Sequence, residues 1–92
     1  MTPVEFRRHL HAHPELSFKE YATAAFIEER LQEEGIACRR IADTGVLAKI
    51  EGREPHSRAV VLRADIDALP IHEATALPYS SQNEGVMHAC GH

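Results

Sequence analysis

The chain has 92 residues, 43% of them hydrophobic and 26% charged, with a net charge of -4 and a pI near 5.9. That composition fits one small globular domain and excludes intrinsic disorder, and the acidic balance argues against a nucleic-acid partner, whose phosphates call for a basic face. No apolar run approaches the roughly 18 residues of a membrane-spanning helix, and the N-terminus lacks the basic and apolar regions of a secretion signal, so no membrane is expected and the cytoplasm is the default location.

The first predicted element is a helix opening at Thr2-Pro3-Val4-Glu5. Thr2 can cap it, Pro3 suits the first helical position, and Glu5 sits where a capping-box acid reaches back. Phe6 and Leu10 share a face at i, i+4, while Arg7, Arg8, His9 and His11 decorate the surface. Pro14 disfavours helical geometry at His13, so the helix should end near Ala12. Ser17-Phe18-Lys19-Glu20 reads as a second capping box, with Leu16 placed to staple onto Tyr21. Tyr21, Ala24, Ile27 and Leu31 then recur at helical steps, and Gly35 fits just past the C-terminus.

Beyond Gly35 the period becomes extended. Residues 36–41 form one strand candidate, Asp43-Thr44-Gly45 a turn, and residues 46–51 a second strand with Val46, Ala48 and Ile50 on one face. Gly52 to Arg58, with Pro55 and Ser57, reads as a loop. Ala59-Val60-Val61-Leu62-Arg63-Ala64 is a continuous apolar run of the kind found at a sheet centre covered on both faces. The expected class is α/β: two helices, then strands of a mixed twisted sheet. Cys38 is expected to be a small buried hydrophobe, and both cysteines, Cys38 and Cys90, to be free thiols.

Two stretches carry chemistry. Asp65 and Asp67 follow the apolar run, where open α/β sheets place active sites, although aspartates near Pro70 also suit a simple turn. His88, Cys90 and His92 alternate with Ala89 and Gly91, so an extended backbone would project all three to one side. Thiolate and imidazole donors suit zinc, cobalt, nickel or manganese better than calcium or magnesium. Three donors at most make an incomplete site, and a chance cluster in a chain with seven histidines is the competing reading.

The order of three motifs is more specific than any one of them. Arg8-His9-Leu10-His11-Ala12-His13-Pro14-Glu15-Leu16-Ser17, Leu62-Arg63-Ala64-Asp65-Ile66-Asp67-Ala68-Leu69-Pro70 and Met87-His88-Ala89-Cys90-Gly91-His92 resemble the N-terminus of the amidohydrolase branch of the aminoacylase/carboxypeptidase metallopeptidase family. That branch includes hippurate hydrolases, auxin-conjugate hydrolases and N-acetyldiaminopimelate deacetylases.

The resemblance implies a zinc-peptidase-like catalytic domain with two divalent metal ions, zinc or manganese first, cobalt or nickel next. It makes Cys90 and His92 metal ligands, leaves His88 outside the ligand set, and matches Asp67 to a carboxylate that orients a ligand. Asp65 stands where the wider family has a histidine ligand. Relatives continue past the position of His92 with an aspartate, a helix, a glutamate pair, two further histidines and a smaller dimerisation domain. Residues 1–92 are therefore expected to be the N-terminal segment of the catalytic domain, without the lid and dimerisation domain and inactive alone. The parent would be a metal-dependent amidohydrolase of N-acyl amino acids or small peptides, possessing a homodimeric form. A stand-alone metal-binding or interaction module without catalysis is the alternative.

Overall fold

A computed structural model describes residues 1–54 and 56–92; Pro55 of the expected 52–58 loop lies outside the described residues. The element order is α1 (Pro3–Ala12), α2 (Tyr21–Glu33), β1 (Ala37–Ile41) and β2 (Gly45–Lys49).

The start of α1 follows the expected capping box. Glu5 N–H donates to Thr2 Oγ1 at 3.2 Å, and Thr2 N–H donates to the Glu5 carboxylate at 2.6 Å. Those Thr2 contacts hold the Glu5 carboxyl below its usual range. The helix closes where His13 N–H donates to the His9 and Leu10 carbonyls, and Pro14 follows fully buried.

α2 begins later than its sequence signal. Ser17 does not cap it: the hydroxyl donates instead to Asp67 Oδ2 at 2.5 Å, fifty residues away. Phe18 turns into the left-handed region at φ +64° with its ring 82% exposed, and helical geometry starts only at Tyr21. The orphan amides of the first turn go to Glu15, which accepts from Ala22 N–H at 3.2 Å and from Thr23 N–H and Oγ1, both at 2.6 Å. A carboxylate there also faces the positive end of the helix dipole, so a long-range acceptor replaces the local box. The other end matches expectation: Gly35, at φ +72°, donates to Gln32 O at 3.0 Å, and Ile36 N–H donates to Leu31 O at 2.9 Å. This pair of bonds is a Schellman closure.

β1 and β2 form an antiparallel hairpin with Cys38 opposite Ala48 and Ile41 opposite Gly45. The connection needs left-handed residues, supplied by Ala42 and Asp43 at φ +47° and +67°. A Cβ on Gly45 would lie 2.9 Å from the Ile41 carbonyl oxygen, so glycine is required at that closure. Arg40 ties the hairpin to α2 through Glu28, with Nε at 2.8 Å, and donates to Asp43 O at 3.0 Å. Cys38 is half-buried rather than in the core. The apolar centre is small: Ala12, Ala24 and Ala68 are buried, and Phe26 stacks on Phe6 at 5.5 Å and on His9 at 3.9 Å.

The α/β class stands, but the apolar run at 59–64 is not a strand among the described residues. Val60, Val61 and Leu62 are exposed at 86%, 85% and 93%. A strand exists only through its neighbours' hydrogen bonds and covering layers, and no described segment supplies either here. The mixed sheet is thus reduced to the hairpin plus two bridges: Leu16 pairs in parallel with Ala68, and Leu69 pairs antiparallel with Met87. Ala68 N–H donates to Glu15 O at 2.8 Å, and Leu69 and Met87 exchange bonds of 2.9 and 3.0 Å. These bridges bring the 15–17, 67–69 and 86–88 stretches side by side.

Candidate metal centre

That lateral stacking assembles the chemistry-bearing residues. Asp67 leaves the middle stretch with its carboxylate fixed by Ser17, while His88, Cys90 and His92 follow directly on the paired residue Met87. Asp65, Asp67, Leu69, His88, Ala89, Cys90 and His92 line one open cleft of about 240 Å³. His88, Cys90 and His92 thus line one cleft together with Ala89, although residues 88–92 do not form the extended strand expected of them.

The Ser17 hydrogen bond holds the Asp67 carboxyl below its ordinary range, with His88 and His92 adding smaller pulls in the same direction. Asp65 forms an ion pair with Arg63 at 2.8 Å on the exposed side. His88 is half-buried, and burial first, then the neighbouring His11, lowers its pKa. Its Nε2 is buried without a hydrogen-bond partner among the described residues. Cys90 and His92 are exposed, and Cys90 is a free thiol.

The donors fit a divalent transition metal in kind but not in number. Among the described residues no three His, Cys, Asp or Glu side chains converge to hold an ion. A thiol and an imidazole on one rim amount to part of a coordination sphere, whereas a closed structural zinc site takes about four ligands.

One cluster escaped the sequence reading. His11, expected to decorate α1, places Nε2 2.9 Å from Glu73 Oε1. The Glu73 side chain is 2% exposed and also accepts from Ser81 N–H at 2.8 Å and from the Thr75 hydroxyl. The Thr75 hydroxyl above all, then the Ser81 amide and His11, pull its pKa down to about 2 against the cost of burial. Nothing local in the sequence pointed to a partner 62 residues on.

Residues 61–92, which carry the Asp65–Asp67 and His88–His92 motifs, match the model of peptidase family M20/M25/M40. Over 90 residues the chain is 57% identical to an N-acetyl-L-cysteine deacetylase of Bacillus subtilis, covering 97% of this chain and 21% of that protein. It is 52% identical to an N-acyl-L-amino acid amidohydrolase of Geobacillus stearothermophilus, with 97% and 24% covered. In sequence the chain is thus similar to proteins of the M20 peptidase family. Its fold agrees with that of a Bacillus subtilis dinuclear metal binding peptidase from the M20 family, with a TM-score of 0.89 and 50% identity over 96% of this chain and 25% of that one. The chain spans between a fifth and a quarter of the length of these relatives. No described helix is long and apolar enough to cross a membrane.

Proposed function

We propose that residues 1–92 are the N-terminal segment of the catalytic domain of a metal-dependent amidohydrolase that cleaves N-acyl amino acids or small peptides. One observation carries this reading: Asp67, Cys90 and His92 line a single cleft in a chain that matches M20 amidohydrolases along nearly its whole length.

In this reading Cys90 and His92 hold part of a site for two divalent ions, zinc or manganese before cobalt or nickel. Such ions, when bound, polarise an amide carbonyl and make a water more acidic. The chain's own contribution is positional. The Cys90 thiolate would add negative charge and a soft donor, and the His92 imidazole a neutral one. Asp67, fixed by Ser17, lines the same cleft as His92 and would orient a ligand from behind, the support that metal-ligating histidines generally have. The resemblance places the general base on a glutamate outside residues 1–92, so the 92 residues alone are expected not to hydrolyse amides. A homodimeric parent in the cytoplasm completes the proposal.

The test is release of free amino acid from N-acetyl-L-amino acids by protein made from the complete reading frame. Activity lost to a chelator, restored by zinc or manganese and absent from the 92-residue chain supports the reading. Metal-dependent release by the pure 92-residue chain would overturn the assignment of the missing base.

A further inference from the structure

We infer that Glu73 fixes His11 as a hydrogen-bond acceptor in the cleft beside Cys90 and His92, where its Nδ1 receives an N–H donor of a bound ligand such as the amide of an N-acyl amino acid. The ligand class rests on the amidohydrolase reading; the state of the ring does not.

Three donors converge on the Glu73 carboxylate: the Thr75 hydroxyl, Ser81 N–H at 2.8 Å and His11 Nε2 at 2.9 Å. Held ionised, a carboxylate only accepts. His11 Nε2 must therefore carry the proton, and in the neutral ring Nδ1 keeps the lone pair. Among the described residues no protein group bonds to Nδ1. The ring is braced rather than loose: Tyr79 meets it edge-on at 5.7 Å, and Arg8 lies 4.6 Å over the Tyr79 ring.

The side chain keeps 15% exposure, and that exposure faces a second cavity of about 410 Å³. Its lining includes His11, Arg7, Asp65, His88, Cys90 and His92, so it shares four residues with the smaller cleft and opens onto the same rim. The other two histidines of this helix end differ. His9 is stacked between Phe26 and His13, and His13 Nδ1 bonds the His9 carbonyl at 2.8 Å. Of the three, His11 alone is both gripped by a buried carboxylate and part of the cavity that Cys90 and His92 also line. Glu73 acts through His11 and is a positioning residue.

The test is long-range ¹H–¹⁵N NMR of the 92-residue chain labelled at histidine, at a pH where the rings are neutral, followed by titration with N-acetyl-L-alanine. The wild-type His11 ring is expected in the Nε2–H tautomer, and Glu73→Gln, whose amide offers one acceptor oxygen for three donors, should give a mixed tautomer. His11→Gln keeps a donor for Glu73 but puts nothing in place of Nδ1, so it should weaken N-acetyl-L-alanine binding about fivefold, the size of one neutral hydrogen bond. An Nδ1–H tautomer in the wild type overturns the inference whatever becomes of the amidohydrolase reading. The correct tautomer with no His11 response to N-acetyl-L-alanine, or with equal binding by His11→Gln, overturns the ligand role and leaves the metal assignments to their own test.

Discussion

The two halves of the chain solve the same problem differently. Residues 1–49 hold all four regular elements and close their own ends: Thr2 and Glu5 cap α1, Glu15 caps α2, and Gly35 finishes it. Residues 59–92 hold the chemistry but little regular structure, with Val60, Val61 and Leu62 facing solvent and Cys90 and His92 on an open rim. Local hydrogen bonds suffice for helices and a hairpin. A buried strand and a metal site need contributions from several parts of a fold.

If that contrast is right, substitutions should cost stability at buried positions of residues 1–49 and little in the exposed run at 59–64. The largest effect is expected at Ala24, which is 0% exposed: Ala24→Leu overpacks the α2 contact and should destabilise the chain by about 2–3 kcal/mol in urea unfolding. Glu15→Gln keeps the shape but removes the charge that caps α2, and should cost about 1–2 kcal/mol. A smaller effect concerns pH. Burial first, then His13 and Arg30, lowers the pKa of His9, so the unfolded chain takes up that proton more readily. The stability His9 contributes is present above the unfolded value of 6.5 and declines as pH falls below it; melting temperatures of His9→Phe between about pH 7 and 5 should fall less steeply than wild type. The smallest effect is expected in the second half, where Val61→Lys at an 85% exposed position should change stability by less than about 0.5 kcal/mol. A loss above 1 kcal/mol there, roughly the cost of a packed contact, would show that the run is already covered and would break the comparison.

The same contrast explains what was legible in the sequence. The Thr2–Glu5 box, the Gly35 closure and the hairpin are set by neighbours in the chain, and the first two lie where their residues place them. The hairpin is shifted by one or two residues, turning at 42–44 with β2 at Gly45–Lys49, so Gly45 opens the strand and Ile50 falls outside it. The α2 start was misplaced because Ser17 has two possible partners, and the distant Asp67 wins over the nearby amides. The 59–64 run reads as a central strand because its composition records a burial that the described residues do not provide. Cys90, His92 and Asp67 line one cleft, whereas the Glu73–His11 pair depends on a contact no local pattern encodes.

The central claim is that Cys90 and His92 form a metal-binding edge. It is tested most directly by titrating the 92-residue chain with cobalt(II) and following the thiolate-to-metal absorption band, with Cys90→Ser and Cys38→Ser in parallel. The account predicts a saturable band that survives Cys38→Ser and disappears in Cys90→Ser. A band of equal strength in Cys90→Ser would contradict it.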